Sequence, residues 1–286
     1  MRIRAGYEII YECGAPTPML LCLNVRPERE RDLESRDVLH TDPLLPVRQY
    51  KDVFGNTCSR ILAPAGRLML SADFVIGDSG APDPTPSDAT QAAVEDLPDE
   101  VLQFLLGSRY CDTQALDSLA WKLFGHEPPG WPLAQAIVGY AHQRIGFGYE
   151  HARPTRTASE AHEEQHGVCR DYAHLAITLC RCMNIPARYC TGYLPDIGVP
   201  ASGNPMDFCA WFEAYLGGAW RTLDARHNKP RIGRILMARG RDAADVAIAT
   251  TFGAADLTGF KVIAEELAPL ERGPARRSAA SLSQPI

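Results

Sequence analysis

The sequence predicts an α+β protein: a small N-terminal β-sandwich, then a helical stretch with one buried central helix, then a return to antiparallel strands. Three observations carry the prediction. Residues 6–80 alternate apolar and polar positions as half-buried strands do. Residues 99–183 place apolar side chains at helical spacing. After Pro186 the strand pattern resumes and includes a hairpin turned at Gly217-Gly218.

Taken in order, Tyr7–Tyr11 is an alternating strand, and Met19–Val25 is a second apolar run bounded by prolines. Asp52-Val53-Phe54-Gly55-Asn56 is expected to be a hairpin turn, with Gly55 and Asn56 able to adopt positive φ. Ser59–Ala63 and Arg67–Ile76 follow as strands on either side of Pro64-Ala65-Gly66. Such strands need a second layer to cover their apolar face, hence a sandwich. Residues 77–98 are rich in Gly, Pro, Ser and Asp, the composition of a linker.

Helices are expected over Asp99–Leu106, Gln114–Phe124 and Trp131–Ile145, and Thr157-Ala158-Ser159-Glu160 is a capping box that opens a shorter one. The helix after Gly167 is apolar over much of its circumference, which predicts burial, and Asn184-Ile185-Pro186 ends it. Strands are expected over Ala187–Tyr193, Asp207–Leu216, Ala219–Asp224, Val246–Phe252 and Leu257–Glu265. The domain boundaries that follow are a sandwich over 1–80, a linker over 81–98, a core over 99–270 and a polar tail over 271–286, read as disordered.

A net charge of -6 argues against a nucleic-acid partner. Lys and Arg gather over 226–241, where solvated surface is the expectation because Asp242 and Asp245 follow. No apolar run approaches the ~18 residues of a membrane span, so no membrane association is expected. The first residues carry no apolar run, so no signal peptide is expected either. Nine cysteines, an odd number without paired C-x-x-C spacing, predict reduced thiols in a cytoplasmic chain. No metal and no cofactor are expected.

Candidate chemistry concentrates in three segments. Gly167-Val168-Cys169 puts a thiol where a loop becomes a helix. Free N–H groups and the dipole at a helix N-terminus favour the thiolate, and the same N–H groups can receive an oxyanion. The second and third segments are the two arms of the Gly217-Gly218 hairpin. With that turn, Tyr215 faces Trp220, Glu213 faces Thr222 and Trp211 faces Asp224. Position 209 then lies diagonal to Asp224 on the same face.

Gly167–Leu175, Ile185–Tyr189, Gly192-Tyr193, Asp207–Tyr215 and Trp220–Asp224 together resemble, in order and spacing, the core of the bacterial transglutaminase-like superfamily. That superfamily shares its fold with papain-type cysteine proteases. Residues 6–80, with the D-x-F-G-N turn at 52–56, resemble the N-terminal domain that precedes this core in bacterial members. The resemblance implies a transglutaminase/papain-like core, with a central helix packed on an antiparallel sheet. It places Cys169 at the nucleophile, Asp224 at the acid that orients an imidazole, and Trp211 at an aromatic of the substrate groove. It also places Cys209 where the family has its catalytic histidine.

The implied activity is cysteine acyl transfer or peptidase action on amide bonds through a thioester, with a peptide or protein amide as the partner. Cys209 cannot protonate a leaving amine as an imidazole does, and a missing acid–base group commonly costs ~10²–10⁴ in rate. Four outcomes are open. A substitute histidine serves, His227 just past Asp224 or His166 just before the thiol. Residual chemistry remains. The groove is kept as a peptide- or protein-binding module. Or Cys169 and Cys209 form a metal or redox site. His174 is not a candidate, since five helical residues turn it about 140° from Cys169.

Overall fold

The computed structural model describes residues 1–200, 203 and 205–268; the tail expected over 271–286 lies outside the described residues. Six strands come first: β1 (Arg2–Cys13), β2 (Thr17–Leu21), β3 (His40–Asp42), β4 (Arg48–Lys51), β5 (Thr57–Ala63) and β6 (Gly66–Gly77). Then follow α1 (Asp99–Leu102), α2 (Thr113–Phe124), α3 (Trp131–Arg144), the two-residue strand β7 (Gly146–Phe147), α4 (Ala158–Glu164) and its partner strand β8 (His166–Gly167). The central helix α5 (Cys169–Cys182) leads into β9 (Ala187–Tyr193), β10 (Cys209–Leu216), β11 (Ala219–Leu223) and β12 (Ile235–Gly240). The last described strands are β13 (Ala249–Thr251) and β14 (Ala255–Leu267).

The architecture is α+β with antiparallel sheets. One sandwich sheet has the order β14-β1-β6-β3, the other β13-β2-β5-β4, and the core sheet is β11-β10-β9-β12. The strands expected over 246–252 and 257–265 therefore do not belong to the core. β14 pairs with β1 from Arg2↔Leu267 to Cys13↔Ala255, and β13 pairs with β2. Residues 1–80 do not complete the sandwich; both sheets are finished by chain that returns after the core. The backbone N–H and C=O groups of β1 need a partner strand on each edge, and β6 supplies only one.

The sandwich interior is filled by Ile3, Ile9, Leu21, Ile61, Leu70 and Phe74. Tyr193, Ile235 and Met237 of the core sheet enter the same cluster, so the two units share one hydrophobic interior. On its other side, the core sheet presents Ala210, Phe212, Ala214 and Leu216 to α5, which α2 and α3 cover. The burial of nearly the whole circumference of α5 agrees with its apolar pattern.

The hairpin has the predicted register, with Tyr215↔Trp220 and Glu213↔Thr222 paired. Gly217 and Gly218 both take positive φ, as the tight turn requires. In the 52–56 turn only Gly55 does so, at 76°. Asp52 Oδ1 accepts from the N–H groups of Phe54 (2.9 Å) and Asn56 (2.8 Å), which frees Asn56 to point into the molecule.

Asn56 is fully buried and joins the sandwich to β12: its Nδ2 donates to the Arg239 carbonyl (2.8 Å), and its Oδ1 accepts from the Arg239 N–H (2.9 Å). Arg26 Nη1 donates to the same oxygen. Asn56→Ala leaves the Arg239 N–H and carbonyl unpaired in the interior and takes one acceptor from Arg26 Nη1, which keeps the Phe54 carbonyl (2.9 Å). It is expected to cost about 2–4 kcal/mol, read as a lower denaturation midpoint with unchanged m-value.

Two other expectations change. The stretch 81–98 is not a free linker. Asp83 N–H donates to the Arg231 carbonyl (2.9 Å), Trp131 N–H to the Ala89 carbonyl (2.9 Å), and Gly217 N–H to the Thr90 carbonyl (2.8 Å). It straps the back of the core. The basic cluster over 226–241 is not solvated surface either. It contains β12, and Arg231 and Arg234 are buried against Asp196, Asp83 and Asp224. Charge masked this strand in the sequence because Arg234 and Arg239 are matched by acids far along the chain, Asp83 and Glu28 among them.

Candidate active site

Cys169 is the first residue of α5, and Asp171 fixes that helix start. Its Oδ2 accepts from the Val168 N–H (2.8 Å) and from Arg156 Nη1 (3.0 Å), and its carboxylate is wholly buried. A carboxylate two residues into the first turn also complements the helix dipole. The role of Gly167 follows from Asp171 rather than from substrate approach. A Cβ at position 167 would lie 2.5 Å from Asp171 Oδ2, so only glycine lets the carboxylate fold back over the turn.

Of the nine cysteines, Cys169 alone is partly exposed. Its Sγ lies 4.0 Å from the Phe208 carbonyl and packs against the cluster that holds Cys209. A hydrogen bond from the Cys209 thiol holds the Cys169 thiol below its ordinary range. The charge of Arg226 and the Ala210 backbone add to this, while burial and Asp207 oppose it. Cys209 is pushed the other way, first by that hydrogen bond and then by burial and the neighbouring negative charges. Buried thiols elsewhere are poor nucleophiles: burial pushes Cys111 up to about 11 and Cys182 up to about 12.

Asp224 follows β11 directly and is buried. Its Oδ2 accepts from His227 Nδ1 (2.9 Å) and from Arg234 Nη2 (2.8 Å), and its Oδ1 accepts from the His227 N–H (2.9 Å). Burial alone would raise its pKa, but the Arg234 guanidinium and His227 hold it far below the usual carboxylate range. Nδ1 of His227 carries the proton in that bond, which leaves Nε2 as the free nitrogen. His227, Cys209, Asp207, Arg226 and Tyr149 line one cleft.

The other candidates do not line this cleft. His166 turns toward Glu164 (3.6 Å) and packs on His151, ring centroids 4.2 Å apart. Trp211 does not wall the groove: it is 2 % exposed, and the Arg234 guanidinium lies 4.9 Å from its ring centre. His174 is fully buried between Tyr110 and Tyr189, its Nε2 accepting from the Ala243 N–H (3.1 Å). Among the described residues no three or more His, Cys, Asp or Glu side chains gather so as to hold a metal ion.

Four residues of the site are absent from the sequence-based set: Arg226, Arg234, Asp207 and Tyr149. A signal existed for the first two. Both belong to the basic run over 226–241 that follows the hairpin acid in an acidic chain.

The chain resembles a candidate cysteine protease from Cytophaga hutchinsonii, whose crystal structure superposes with a TM-score of 0.82 at 29% identity over 94% of this chain and 91% of that one. An uncharacterised protein of Mycobacterium leprae is 28% identical over 223 residues, 73% of this chain and 77% of the relative. The periplasmic domain of TgpA from Pseudomonas aeruginosa aligns over 76% of this chain and 75% of its own, at 16% identity and a TM-score of 0.40. Residues 118–225, which contain Cys169, Cys209 and Asp224, match the family model of the transglutaminase-like superfamily, so this stretch is a transglutaminase-like core.

Proposed function

We propose that this protein is a cysteine acyltransferase or hydrolase of peptide or protein amide bonds. Cys169 is the nucleophile, and His227, held by Asp224, is the proton carrier. One observation carries the proposal: Asp224 bonds His227 Nδ1 at 2.9 Å, and His227 and Cys209 line the same cleft. The likeness to a candidate cysteine protease supports it.

The steps follow from these positions. The Cys169 thiol gives its proton to His227 Nε2, the thiolate attacks the amide carbonyl carbon, and the new oxyanion faces the unpaired N–H groups of the first turn of α5. As the C–N bond breaks, the leaving amine takes the proton from His227 Nε2, and a thioester to Cys169 remains. Water or an amine then attacks the thioester and returns a proton to the imidazole. Asp224 orients the ring and fixes its tautomer.

An activated ester tests this without knowledge of the natural substrate. p-Nitrophenyl acetate is expected to acetylate Cys169, seen by peptide mass spectrometry, and to release p-nitrophenol in a burst. His227→Gln is expected to slow turnover of the acetyl-enzyme by about 10²-fold or more. Equal turnover in wild type and His227→Gln removes His227 from the mechanism. Absence of any acetyl adduct on Cys169 favours the non-catalytic binding module instead.

A further inference from the structure

We propose that Arg226 is the counter-ion of the Cys169 thiolate. The proposal rests on Cys169 being the nucleophile, and it separates two duties that one imidazole performs in a cysteine–histidine pair. Arg226 supplies a fixed positive charge beside the sulfur, and His227 handles the proton.

The geometry places the cation there. The Arg226 guanidinium lies over the Phe147 ring, 3.8 Å from its centre. Phe147 pairs with Gly167 in the short β7–β8 ladder, two residues before the thiol, and both Phe147 and Cys169 pack against the main core cluster. The backbone behind the arginine is pinned: His142 Nδ1 donates to the carbonyls of Ala225 (3.2 Å) and Arg226 (2.9 Å). Arg226 also lines the cleft with Cys209 and His227. Among the described residues its guanidinium enters no ion pair or hydrogen bond. Arg231, Arg234 and Arg239, on the same basic run, are each matched by an acid. A cation stacked on an aromatic ring and left unmatched at the reacting centre is available to an anion formed there.

The groups around the sulfur are Cys209 on β10, Asp207 just before it, Tyr149 after β7, Tyr189 on β9 and Arg226, with Arg170 and Asp171 on α5 itself. Arg226 is raised, against burial, by its attraction to Cys209, Cys169, Tyr149 and Asp224. Asp207 works against a thiolate, but burial pushes its own carboxyl up. Arg170 is drawn off to the Pro154 carbonyl (3.1 Å), and Asp171 is tied to Arg156. Among the described residues Arg226 is therefore the one cation positioned to balance the sulfur.

The test reads thiolate formation, not turnover. Alkylation of Cys169 by iodoacetamide is followed by mass spectrometry from pH 5 to 10 in the full-length protein. Wild type is expected to follow a single ionisation with a midpoint below that of a free cysteine, because arginine does not titrate in this range. Arg226→Met is expected to raise the midpoint by about one unit, a roughly 10-fold slower labelling on the acid side. Arg226→Lys is expected to restore much of it, and His227→Gln to leave it in place.

An unchanged midpoint in folded Arg226→Met overturns the proposal. A second comparison tests it should Arg226→Met not fold: a two-step wild-type profile whose first step disappears in His227→Gln assigns the counter-ion to histidine and overturns the proposal. Failure of Cys169 to accept an acetyl group, with the midpoint still moved by Arg226→Met, overturns the acyl-transfer function and keeps the ion pair.

Discussion

Cys169→Ala is expected to abolish acyl transfer, by a factor of at least about 10³, while the protein stays folded. Cys169 is the one partly exposed thiol, so no neighbouring thiol replaces it. Cys209 lies beside it, but its thiol is buried and pushed well above its ordinary range. Stability should hardly change. Cys169 is partly exposed at the first position of α5, and alanine is a good helix former there. The checks are the p-nitrophenol burst, the mass of the acetylated peptide and the thermal midpoint. A burst in Cys169→Ala equal to wild type would move the chemistry to another residue.

Asp171→Ala is expected to give a large loss of stability, about 3 kcal/mol. It leaves Arg156, itself 3 % exposed, without its buried acid, and frees the Val168 N–H. At roughly 2–4 °C per kcal/mol for a chain of this size, the thermal midpoint should fall by about 6–12 °C. Arg156 keeps Glu164 and the His151 carbonyl as partners, which is why the estimate sits at the lower end for a broken buried pair. Activity should fall too, because the same carboxylate sets the turn that presents Cys169. Asp171→Asn, which keeps the shape and one acceptor, should lose less on both counts.

The parts of this molecule legible in the sequence are those set by local rules. The Gly217-Gly218 turn fixed the hairpin register and hence the nearness of position 209 to Asp224. The apolar circumference of α5 announced its burial, and the Thr157–Glu160 capping box is present as expected, with Thr157 N–H bonded to Glu160 Oε2 at 3.0 Å. What stayed hidden depends on distant partners. β13 and β14 read as strands, but nothing local says that Leu267 will pair with Arg2. β12 was masked by arginines whose acids lie far away, Glu28 and Glu213 for Arg239 among them. The cleft shows the same division. Its nucleophile and acid follow from helix start and hairpin, whereas Arg226 and the pairing of Asp224 with Arg234 depend on how the loop after β11 folds back.

Competitive alkylation at neutral pH tests the central claim most directly. A limiting amount of iodoacetamide is added to the folded protein, and the labelled cysteines are mapped. An activated, partly exposed thiol at a helix start predicts that Cys169 is labelled first, well ahead of Cys180, which is fully buried and pushed up by burial. Labelling of Cys169 no faster than Cys180 would contradict the account.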